Sequence, residues 1–150
     1  MNSTTILFQK HYTGRFINML RWHQLEDLWE TVKAQPHGWY IYFVGEPVPT
    51  TPVQDIELNQ FIQEIDQLLR QEHDYDYCGI VYADDKETPA MIKIYDPHNL
   101  GAVCGSSGTT IPPRWLLTRI PPESIANNAP TPNNRKRWWQ QLFSVGNNIV

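Results

Sequence analysis

The sequence predicts an α+β domain built on a mostly antiparallel, mixed sheet. Three observations carry that prediction. Two segments have helical apolar periodicity, and six short runs rich in β-branched and aromatic residues stand between turn formers. The two kinds of segment follow one another as ββ-α-β-α-β-β-β, which is neither a βα alternation nor an all-β pattern. Two helices are therefore expected on one face of the sheet, with a flexible C-terminal tail beyond it.

Residues 4–22 read as two strands around Thr13-Gly14, with a helix starting at Arg15 as the alternative. Leu25, Leu28, Trp29 and Val32 fall at i, i+3, i+4 and i+7, one helical face closed by Pro36 and Gly38. Residues 39–44 are six β-branched or aromatic residues between glycines, a buried strand. A Pro-rich connection leads to the clearest helix. Thr51 is its expected N-cap, with Pro52 at N1 and Gln54 closing a capping box. Leu58, Phe61, Ile62, Ile65, Leu68 and Leu69 form its apolar stripe, and it ends near His73. Residues 77–82 and 90–95 read as a β-hairpin across the polar loop 83–89. Residues 114–120 form a last strand fenced by Pro112-Pro113 and Pro121-Pro122. The expected organisation is one α+β domain over 1–123, a flexible linker over 124–134, and a basic-aromatic docking segment over 135–150.

With 150 residues, 41% apolar composition and six Trp, the chain can bury its own core. No run approaches the roughly 18 apolar residues of a membrane span. The N-terminus lacks a basic stretch followed by an apolar one, so no signal peptide is read there. Two cysteines suit a reducing cytoplasm, and a cytoplasmic location is expected. Charge is uneven. Residues 1–113 carry seven Lys/Arg and fifteen Asp/Glu, whereas residues 114–150 carry five Lys/Arg and Glu123. The body is thus a poor nucleic-acid binder, because phosphate contacts need clustered cations. The tail suits an acidic surface, and the nearest is its own body.

The stretch from Tyr95 to Thr110 differs from the rest, with an Asp, a His, a Cys, three Gly and two Ser. It is not a Walker loop, since no Lys follows Gly108. It is not a nucleophile elbow, because Gly105-Ser106-Ser107-Gly108 has the wrong offsets. It does not open a helix as a dinucleotide fingerprint must. Nor does an Arg follow Cys104 at the spacing of Cys-dependent phosphatases; the first is Arg114. What survives is a backbone anion nest around Gly105, Ser106, Ser107 and Gly108.

An antiparallel hairpin placing Tyr82 near Ala90 and Tyr77 near Tyr95 brings its two outer ends together. His73, Asp76 and Cys78 stand at the entrance, and Asp96, His98 and Cys104 at the exit. Two chemistries fit. His73, Cys78, His98 and Cys104 are two imidazoles and two thiolates, an accepted zinc set at unusual spacing. Alternatively Cys104 is a nucleophile, with His98 as its base and Asp96 or Asp76 orienting the imidazole. A plainer account treats Asp96-Pro97 as a turn start, Cys78 as a small buried hydrophobe and His73 as a helix-end cation.

In the tail, Trp138, Trp139, Leu142 and Phe143 share one helical face, and Arg135, Lys136 and Arg137 sit at the end the helix dipole disfavours. Something must cover those rings: the protein's own body, a partner, or an anionic membrane surface, in that order. The reading drawn from the sequence is a small cytosolic accessory or binding protein. It would act through the loop end near Asp96–Gly108 and the aromatic tail, with another protein as partner. The rival is a thiol-dependent enzyme at Cys104. No cofactor and no oligomeric state follow from these residues.

Overall fold

A computed structural model describes residues 3–99, 111–125 and 132–147. The elements are α1 (Ser3–Tyr12), β1 (Ile17–Asn18), α2 (Trp22–Ala34), β2 (Tyr40–Phe43) and α3 (Asp55–Glu72). They continue with β3 (Val81–Ala83), β4 (Met91–Ile94), β5 (Trp115–Thr118) and α4 (Asn133–Asn147), with a 3₁₀ turn at Pro97–Asn99. The five strands form one sheet in the order β1-β3-β4-β5-β2, and every pairing is antiparallel. The fold is α+β.

Alternation along the strands sorts their side chains onto two apolar faces. Ile41, Phe43, Ile92, Ile94, Trp115 and Leu117 point one way and bury the stripes of α2 and α3 together with Leu142 of α4. Tyr42, Met91 and Leu116 point the other way, where Phe8 of α1 covers them with Tyr12 and Phe16 at the margin. Because both faces are covered, β2 carries no alternation of polar and apolar residues: it is apolar or aromatic throughout, as a two-sided core strand must be.

Several expectations are corrected. There are four helices among the described residues rather than two, and they lie on both faces of the sheet. The first element is a helix, not a strand, so the order begins α-β and not ββ. Its Thr4-Thr5-Ile6 stretch favours a strand locally, but Phe8 and Tyr12 at i, i+4 stack at 5.8 Å and bury onto the sheet, and that packing prevails. Helix α3 starts at Asp55, not after Thr51. The Val53 N–H donates to the Trp39 carbonyl (2.8 Å), which ties this segment beside β2 in an extended path. Gln54 takes the cap position, its N–H donating to Glu57 Oε1 at 2.9 Å.

The hairpin forms, but three residues out of the expected register: Tyr82 faces Lys93, not Ala90. Asp84 sets this register by accepting the N–H groups of Ala90 (2.9 Å) and Met91 (3.1 Å). At the other end Gly79 has φ +73°, and Cys78 and Gly79 donate their N–H groups to Leu20 and Met19 instead of to β4. In the C-terminal segment Asn133–Asn147 is helical, and Trp138 and Trp139 pack against the α2/α3-side core. Of the expected linker 124–134, residues 126–131 lie outside the described residues. Ile125 packs on the α1-side core and its N–H donates to the Tyr42 hydroxyl at 3.1 Å.

Candidate functional site

The end of the sheet opposite the β3–β4 turn gathers the chemistry-bearing residues. As the chain leaves β4, the Tyr95 N–H pairs with the Ile80 carbonyl (2.9 Å), and Asp96 follows at once. Asp96 Oδ1 accepts the His98 N–H at 3.0 Å, which shapes the 3₁₀ turn from the inside. The rest of the Asp96 carboxylate is taken by two guanidinium groups. Arg114, immediately before β5, donates from Nε at 3.1 Å, and Arg135, in the first turn of α4, donates from Nε at 3.2 Å and Nη2 at 3.0 Å. Asp96, Arg114 and Arg135 are each no more than 3% exposed.

Arg135 also reaches the last residue of α3. Its Nη1 and Nη2 donate to Glu72 Oε2 (2.6 Å) and Oε1 (2.7 Å), a two-pronged pair. One buried guanidinium thus joins the C-terminus of α3, the exit of β4 and the start of α4. The cation at the helix N-terminus, unfavourable by itself, stands between two carboxylates. Glu72 lies below the usual carboxylate range, chiefly because Arg135 hydrogen-bonds it; burial opposes this and the charge of Arg135 adds to it. Burial works to raise the Asp96 carboxyl, but Arg135, the His98 N–H and Arg114 outweigh it and hold Asp96 low as well. Two anions and two guanidinium groups balance, which is the condition under which buried charges are tolerated.

His98 presents its ring to Glu72, with Nε2 at 2.9 Å from Oε1. The sequence assigned the orienting carboxylate to Asp96 or Asp76. Asp96 instead touches the backbone of His98 while Glu72 touches its ring.

His73 is buried, and its Nε2 lies 2.8 Å from the Cys78 carbonyl. A carbonyl only accepts, so Nε2 carries the proton and is not free to ligate. Cys78 is fully buried, and burial pushes its thiol up despite the N–H groups of Ile80 and Val81. Among the described residues no group of three or more His, Cys, Asp and Glu is placed to hold a metal ion. Cys104 and the nest residues Gly105, Ser106, Ser107 and Gly108 lie outside the described residues. Their flanks are tied, since Asp96 and Arg114 on either side are paired with each other.

From the tail, Trp138 meets Trp115 at 5.6 Å and Phe61 at 6.4 Å, and Trp139 meets Phe43 edge-on at 5.0 Å. Leu142 is buried, and its carbonyl accepts from Gln60 Nε2 at 2.6 Å. The side chain of Phe143 is outside the described residues.

Sequence reasoning missed Glu72, Arg114 and Arg135 as members of this cluster. The available signal was the charge asymmetry. A basic, aromatic helix at the end of an acidic chain needs internal anions if it folds back, and Asp96 directly after an apolar strand is such an anion.

A larger groove of about 720 Å³ between α2 and α3 lies elsewhere. Its charged lining is already paired: Asp66 accepts from Trp29 Nε1 (3.2 Å) and Arg70 Nε (2.8 Å), and Glu26 accepts from Arg70. Among the described residues no helix is long and apolar enough to cross a membrane. Comparison with protein-family models, with curated proteins and with solved structures returns no match for this chain.

Proposed function

We propose that this chain is a non-catalytic binding protein for another protein. Its binding end is the sheet end that carries residues 72–79 and 96–98. One observation carries the reading. The Asp96 carboxylate, which a Cys–His–Asp arrangement would spend on the imidazole, is consumed by Arg114, Arg135 and a backbone N–H in joining α4 to the sheet. That use favours a rigid presenting surface over a reaction centre. The acidic body argues against nucleic acid as the partner.

A second reading has its own support. Glu72 can orient His98 for Cys104 in place of Asp96, since it contacts the ring at 2.9 Å.

Thiol alkylation across pH in the Cys78→Ser variant separates the two. A binding protein gives Cys104 an inflection near the ordinary thiol value of about 8.5. An inflection below about 7 favours the enzyme and overturns the proposal.

A further inference from the structure

We infer that the surface formed by Tyr75 and Tyr77, with Leu20 beside them and Asp74 and Asp76 around them, recognises an arginine side chain on a partner protein. The inference rests on the binding reading above and names the partner's chemistry.

Tyr75 and Tyr77 are 58% and 45% exposed, yet their rings are ordered against each other, stacked at 5.5 Å with 24° between planes. Their placement is built from beneath. The buried His73 ring meets Tyr75 at 4.7 Å and Tyr77 at 5.8 Å, both edge-on. The Tyr75 carbonyl accepts the Trp22 indole N–H at 2.8 Å. Gly79 holds a positive φ, and a Cβ there would lie 3.3 Å from the Tyr77 ring, so glycine leaves room for that ring to lie close. Leu20, 48% exposed, sits 4.0 Å from the same Cβ position and extends the apolar surface.

Asp74 and Asp76 put negative charge beside this platform. Among the described residues neither Asp74 nor Asp76 has a cationic partner, and both are exposed. Exposed tyrosine rings beside carboxylates with no cationic partner among the described residues match a planar cation that stacks and donates hydrogen bonds together, which a guanidinium does better than an ammonium. The molecule already makes this contact next door: the Arg70 guanidinium lies 4.8 Å over the Trp22 ring and is held by Asp66 and Glu26. The partner's arginine would repeat it on the outer pair of rings.

The test is a titration of the ¹⁵N-labelled full chain with the blocked peptide Arg-Gly-Gly-Arg, against the same peptide with citrulline for arginine. Amide shifts confined to residues 74–79 and the Trp22 indole N–H, absent with citrulline and weakened by salt, are expected. Asp74→Asn/Asp76→Asn changes groups with no ion-pair partner among the described residues, so the fold is retained while affinity falls about fivefold. Tyr75→Ala/Tyr77→Ala lowers affinity about tenfold, and should it unfold, the aspartate variant still decides. Equal binding of the citrulline peptide, shifts centred on Glu26 and Glu30 in the α2–α3 groove, or no shift at millimolar peptide would each overturn the inference. Cys104 reactivity plays no part in this experiment, so its failure and a failure of the binding reading are distinguishable.

Discussion

Replacing Arg135 with Ala removes one side chain and leaves two carboxylates behind. They fare differently. Glu72 has a 30% exposed side chain and returns to water, so losing its partner costs at most about 1 kcal/mol. Asp96 has a fully buried side chain and keeps only Arg114 and the His98 N–H. Breaking a buried pair costs about 3–5 kcal/mol, and the remaining partners place this case at the lower end, about 3 kcal/mol. At roughly 2–4 °C per kcal/mol for a chain of this size, the midpoint of thermal unfolding falls by about 6–12 °C. Urea titration of wild type, Arg135→Ala, Asp96→Asn and the double variant gives the coupling directly, expected above about 1 kcal/mol. The pH dependence has a defined sign. Asp96 and Glu72 are both held below their unfolded values, so their stabilisation is fully present above about pH 5 and is lost as pH falls toward the folded values. The gap between wild type and Arg135→Ala should therefore be full at pH 7 and shrink below about pH 5. A variant within about 0.5 kcal/mol of wild type at pH 7, or strict additivity with Asp96→Asn, would refute the idea that this cluster holds α4 to the sheet.

Three further outcomes follow from the packing. Phe8→Ala empties the site where α1 covers the second face and should destabilise by about 3–5 kcal/mol in urea, whereas Leu7→Ala, on the exposed side of the same helix, should stay within about 0.5 kcal/mol. Gly79→Ala forces a side chain to φ +73° against the Tyr77 ring and should cost about 1–2 kcal/mol by the same assay. In a Cys104→Ser variant, Cys78 should resist alkylation in buffer and react once urea unfolds the chain, because burial both shields the thiol and raises it.

The elements legible in the sequence were those whose burial pattern is local. The stripe from Leu58 to Leu69 and the face of Leu25, Leu28, Trp29 and Val32 appear as α3 and α2, and all of those residues are buried. The proline-fenced run around Trp115–Thr118 appears as β5. What failed depended on distant partners. Nothing within residues 4–12 announces that Phe8 will find Tyr42, Met91 and Leu116, and those contacts make the segment a helix. The hairpin register is fixed by the Asp84 carboxylate and by the turn at Gly79, neither of which periodicity records. The hairpin accounts for the expectation that residues 73–78 and 96–98 lie at one end of the sheet, but the third party, Arg135, enters from 37 residues beyond His98. Its role was visible only as an imbalance of charge between body and tail.

The claim that this sheet end presents a surface and does not run a reaction is tested most directly at His98. Cys104 alkylation rates are measured from pH 5 to 9 in Cys78→Ser, with and without His98→Ala. The account predicts superimposable profiles, each rising through about pH 8.5 as for an unassisted thiol. A wild-type His98 profile that rises below about pH 7 and collapses to the ordinary one in His98→Ala would contradict it, and would identify His98 as the base of a reactive cysteine.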